Sequence, residues 1–274
     1  MKKAWTIALA TAKEATRQPA FFVILFLGAM FLIVSIFLSY YTLGEDIKMY
    51  KDVGLTAITM AGLLLALLTA SSTVAEEIEG KTAVTLLSKP INRPQFILGK
   101  FIGIEMAVAA VFLILGFVFA AGVYFKLGYD LREASGGAAE IRQRVMQVRQ
   151  ILPGMALGFM EVTVLTSISV AISTRLPMLA NLVVCIGVFF LGHLTPVMVD
   201  ATKAGRTNEL VGFMARLFSV VLPKLEAFNA SPSIATGAII PWFGYVFPAF
   251  LFCVMYSGAA LLFALVLFEN RDVA

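Results

Sequence analysis

Residues 76–100 read EEIEGKTAVTLLSKPINRPQFILGK, and this stretch decides how the rest of the chain is arranged. It interrupts two long apolar runs and is too charged to lie in lipid. Gly80 weakens any helix that reaches it. Thr82 is a plausible N-cap, after which Ala83, Leu86 and Leu87 share one face of a short helix. Lys89-Pro90 ends that helix, because the residue before a proline is pushed out of the α region. Asn92 or Arg93 then caps a new helix with Pro94 in its first turn, where a missing N–H costs nothing. A short helix with an apolar face is thus expected between two breaks, at a membrane surface.

Working outward, six apolar runs are long enough to span a bilayer, which takes about 20 mostly apolar residues. They are 20–43, 53–75, 101–125, 153–174, 177–199 and 241–268. With 60% hydrophobic and 14% charged residues and a mean hydropathy of +0.91, the expected fold is an all-α polytopic membrane protein forming one transmembrane domain. The net charge of +4 is small, and the basic residues flank apolar runs, so they fit lipid headgroups and not nucleic acid. Cys185 and Cys253 lie inside apolar runs and His193 is the single histidine, so no disulfide framework or Cys/His metal motif is expected.

The interrupting stretch resembles the membrane permeases of type-2 ABC exporters. The resemblance rests on Glu76-Glu77, Gly80-Lys81-Thr82, Leu86-Leu87-Ser88-Lys89-Pro90, Arg93 and Gly99-Lys100. Residues 223–229, PKLEAFN, and the tail 268–272, FENRD, are also similar to that family, with Lys224 where Asn is usual. The resemblance implies that 76–100 is a cytosolic coupling segment docking on a separate ABC ATPase subunit. It further implies a second permease copy or paralogue, with ATP and Mg held by the partner ATPase and no cofactor on this chain. The alternative for 76–100 is an amphipathic loop lying on the headgroups. Gly80-Lys81-Thr82 is not a phosphate loop, because Ala75 stands where that motif needs its first glycine. The chain is therefore expected to be a membrane subunit and not an enzyme.

The Lys/Arg totals of the two sides nearly balance, so the flanks of the first span decide the orientation. Lys2, Lys3, Lys13 and Arg17 precede it and Lys48 and Lys51 follow, which favours an N-terminus inside. The resemblance implies a bacterial inner membrane. Residues 1–19 are expected to form an interfacial helix with Trp5, Ala8, Leu9 and Ala12 on one face. Two outer insertions follow from this topology. Residues 126–152 carry Ile141, Val145, Val148 and Leu152 along one side of a basic helix expected to rest on headgroups. Within 200–240, residues 210–222 are too short to span and are expected to lie in the interface.

Two carboxylates fall inside runs, where ionisable groups are costly. Glu105 is near an inner edge and is expected to reach the interface. Glu161 is deeper, shares a face with Gly154 and Gly158, and matches His193 of the next span in depth. Beside it run Thr163, Thr166, Ser167 and Thr174. A Glu161–His193 contact serves either helix packing or the lining of a conduit. The function expected is the permease subunit of an ATP-driven exporter. A transmitter driving an outer-face partner is the first alternative and a secondary transporter the second.

Overall fold

The computed structural model describes residues 2–38, 46–75, 92–134, 139–203 and 209–269. The expectations for Glu76, Glu77, Gly80, Thr82, Leu86, Leu87 and Pro90 lie outside these residues. In chain order the helices are α1 (Lys2–Arg17), α2 (Pro19–Leu38), α3 (Asp46–Ala70), α4 (Arg93–Ala134), α5 (Ala139–Ser173), α6 (Met178–Lys203), α7 (Glu209–Val221), α8 (Ser231–Ala235) and α9 (Phe247–Glu269). A π-turn, Ser71–Ala75, extends α3, a second, Trp242–Val246, precedes α9, and Leu225–Phe228 forms a 3₁₀ turn.

Among the described residues six helices are long and apolar enough to cross a membrane, as the apolar runs require. Their burial sorts them into layers. The apolar windows of the α3 and α5 spans are 61% buried, against 17% for α2 and 22% for α6 and for the last span. α3, α4 and α5 therefore form the centre, with α2, α6 and α9 around them facing lipid. Glycines let the central helices approach closely. A Cβ on Gly158 would lie 2.4 Å from Thr59 Oγ1, and one on Gly154 would lie 2.6 Å from Ile234 Cδ1 and 2.9 Å from Leu55 Cδ1. These two glycines thus pack toward α3 and α8. They do not share the contact made by Glu161, which turns to α6.

Several helices outrun their expected limits. α4 runs without a break from Arg93, so residues 93–100 belong to the helix of the span. Asn92 caps it: its carbonyl accepts from Gln95 N at 2.9 Å and from Phe96 N at 3.2 Å. α5 starts at Ala139 and carries Pro153 inside it, not at its head. The basic stretch expected on the headgroups is instead one arm of a helical hairpin with the end of α4. Arg144 sits over the Tyr124 ring at 5.3 Å, and its Nη2 donates to Gly128 O at 3.3 Å. Lys51 has only 1% of its surface exposed. Its ammonium donates to Gln147 Oε1 and, at 3.3 Å, to Gln150 Oε1, joining α3 to that hairpin.

The stretch after α6 also differs from expectation. α7 runs back along α6 and does not lie flat in the interface. A Cβ on Gly212 would meet Thr202 Cγ2 at 2.9 Å, and one on Gly192 would meet Leu225 Cδ1 at 2.7 Å. Residues 223–229 follow beneath α7 with Pro223, Leu225 and Phe228 buried against the bundle and Lys224, Glu226, Ala227 and Asn229 exposed. Tyr245 Oη donates to Ala227 O at 3.1 Å, and Tyr256 Oη to Val221 O at 3.4 Å, so the last span serves carbonyls that α7 and the 3₁₀ turn leave open.

α1 packs across the start of α4 on Ala8, Thr11 and Ala15, while Trp5 and Leu9 of the expected face stay exposed. The contact follows from Gly99 and Gly103, one turn apart, where a Cβ would lie 2.9 Å from Ala4 O and 2.6 Å from Ala8 O. Backbone cannot step aside as a side chain can. Gly103→Val should therefore cost about 1–3 kcal/mol and lower the melting temperature of the purified chain by several degrees. Gly258→Val, at a glycine with nothing within 4 Å, should leave it unchanged. Equal melting of the two variants would remove the α1–α4 contact from the account.

Candidate functional site

The structure concentrates polar chemistry where α3 gives way to residues 76–91. Ser72 Oγ and Thr73 Oγ1 both donate to Thr69 O, at 3.3 and 2.7 Å. Hydroxyls that occupy a helix carbonyl compete with the backbone ladder, and here the ladder slips into the π-turn Ser71–Ala75. The slip turns Ser71 toward Asn181 at the head of α6. Asn181 Nδ2 lies 2.8 Å from Ser71 Oγ, 2.9 Å from Ser169 Oγ and 2.7 Å from Ser173 Oγ. Two amide hydrogens serve two of the three oxygens. The Ser173 hydroxyl has its own acceptor in Ala70 O at 3.4 Å, and the Cys185 thiol donates to Asn181 Oδ1 at 3.2 Å. Asn181 and the three serines are fully buried, so α3, α5 and α6 are joined at one polar point.

Two further contacts hold the same end. Gln18 Nε2, after α1, donates to Ser72 Oγ at 3.4 Å. Arg93, the described member of the expected coupling set, reaches the end of α9. Its Nη1 donates to Phe268 O at 2.9 Å, and its guanidinium sits 5.3 Å from the Phe268 ring. A cation over the last carbonyls of a helix is favoured by the helix dipole. Residues 76–91 therefore leave from the π-turn locked to α5 and α6, and return at a residue clamped to the last span.

Deeper in the bundle the structure brings Glu161 and His193 together, with Oε1 3.4 Å from Nε2. His193 Nδ1 lies 3.1 Å from Phe189 O, an acceptor, so Nδ1 carries a hydrogen. A hydrogen bond between Nε2 and Glu161 then needs one more proton, on the ring or on the carboxyl. Glu105 does not reach an interface. It turns inward to accept from Thr163 Oγ1 at 3.0 Å, which joins α4 to α5. The expected hydroxyl stripe is turned onto its own helix. Thr166 donates to Val162 O, Ser167 to Val164 O and Thr174 to Ala171 O, at 2.8, 2.6 and 2.7 Å. All three are fully buried within the bundle.

Among the described residues no group of three or more His, Cys, Asp or Glu side chains is placed to hold a metal. Sequence reasoning passed over the Asn181 cluster. Its signal was there as an asparagine in an apolar run and a Ser-Ser-Thr step at 71–73, but its partners are far apart in the chain.

Asn181→Leu leaves three buried hydroxyls without their shared partner and should destabilise the chain by about 1–3 kcal/mol, read as a fall in melting temperature. Glu161→Gln should be milder than Glu161→Leu, because Gln keeps a hydrogen-bonding group opposite His193. Wild-type melting for Glu161→Leu would make that contact irrelevant to stability.

No curated protein matches the chain. A family model described as ABC-2 family transporter protein matches residues 5–273, nearly the whole length, and the chain therefore belongs to that family of ABC transporter membrane permeases.

Proposed function

We propose that the chain is the transmembrane permease subunit of an ATP-driven ABC exporter. A separate cytosolic ATPase binds ATP and Mg and drives residues 76–91. The observation that carries the reading is the polar lock at the root of that segment. A push on the segment reaches α5 and α6 through Ser71 and Asn181, and reaches the last span through Arg93 and Phe268. α1, Arg93 and the end of α9 lie at the same end of the bundle, which accords with both termini on the ATPase side. A second permease, copy or paralogue, completes the translocation path, and the membrane is the bacterial inner membrane.

The contact itself is assigned to Thr82–Ser88, with Glu76, Glu77, Gly80 and Pro90 shaping it. Its apolar face, Ala83, Leu86 and Leu87, needs a groove or headgroups to cover it. Replacing Leu86 and Leu87 together by Asp should abolish copurification with the ATPase, or stop stimulated hydrolysis, while membrane insertion stays normal. Copurification and transport at the wild-type level would reduce the segment to a surface loop. Cysteines at Ser88 and Ser135 should react with an impermeant reagent from opposite sides, and labelling from one side would overturn the topology. The transmitter reading draws on the α4–α5 hairpin that projects from the other end. It gains the advantage if a tightly bound outer-face protein copurifies and no substrate moves.

A further inference from the structure

At the end of the bundle away from the coupling segment, a cavity of about 740 Å³ lies between the projecting part of α5 and the start of the last span. Val145, Met146, Ile239 and Trp242 form its apolar wall, with Arg142, Arg149 and Gln150 along its rim. The wall is open: Val145 is 48% exposed, Met146 55%, Ile239 78% and Trp242 51%. Its height matters. α5 has a short turn with exposed Arg175 at its other end. Measured from Ser173, the helix reaches the thickness of a hydrocarbon core, about 30 Å, near Pro153. Arg149 then stands about 6 Å beyond that edge and Ile141 about 18 Å beyond it. Bilayer chains can cover the foot of the wall at Pro153 but not its upper part. The cleft is a ramp that starts in one leaflet and rises out of it.

The charge of the ramp selects its occupant. Among the described residues that line it none is acidic, and no ion pair or hydrogen bond occupies Arg142 or Arg149. Behind Gln150 the buried Lys51 ammonium adds a third positive charge. An apolar wall with a cationic rim fits a chain with an anionic head. We propose that this cleft binds an anionic amphiphile drawn from the adjoining leaflet, with the chain against Val145, Met146 and Trp242 and the head between Arg149 and Arg142. The site does not depend on the exporter reading, because binding is a property of the chain without its ATPase.

The test is native mass spectrometry of the full chain in detergent with equal amounts of lysophosphatidylglycerol and lysophosphatidylcholine. The anionic lipid should bind at least tenfold more tightly. Arg142→Gln with Arg149→Gln, both exposed and so harmless to folding, should erase that preference. Val145→Trp, which fills the cleft, should reduce binding of both. Equal binding of the two lipids to the wild type, or an unchanged preference in the double variant, overturns the proposal. So does a photocrosslinker at Met146 that captures a protein in native membranes in place of lipid.

Discussion

A polar group inside a bilayer must find its partner within the protein, since lipid offers none. Asn181 shows the force of this constraint. Its carboxamide is buried among apolar helices, and three serines from two other elements converge on it. Separating α3, α5 and α6 at that point would strand four polar side chains at once. The same rule explains Glu105 on Thr163 and the two tyrosines that serve carbonyls of α7 and the 3₁₀ turn. Apolar contacts fill the bundle, but lipid competes for apolar surface. Polar pairs and close glycine contacts are what specify which helices meet.

Much of this was legible in the sequence. The six spans were, because a run of about 20 apolar residues has few other uses. Their ends were not. Lys51, Lys126 and Arg144 read as water-facing charges that should close a span, yet each finds a protein partner. Lys126 Nζ donates to Ile36 O at 3.4 Å, and Arg144 sits on Tyr124. Pro153 read as a helix start, but it lies inside a helix that continues past it. The depth match of Glu161 and His193 was visible from residue counting alone. The Asn181 cluster was not, because Ser71 is 110 residues away and nothing in local spacing ties the two.

The two ends of the bundle differ in their polar contacts. One end holds the lock around Asn181 and the Arg93 clamp, on either side of residues 76–91. The other end carries the α4–α5 hairpin, the turn under α7 and the cleft beside Trp242. α5 reaches from one end to the other. Glu161 and His193 lie between them, at the α5–α6 contact.

The central claim is that the lock around Asn181 passes ATPase motion into the spans. Spin labels at Leu98 on α4 and Leu179 on α6, both exposed near the end that carries Asn181 and Arg93, report it directly. In the assembled complex the interlabel distance should shift between nucleotide-free and ATP-bound states. In Asn181→Leu the shift should vanish while the ATPase stays bound. An undiminished shift in Asn181→Leu would contradict the account and move the coupling path elsewhere.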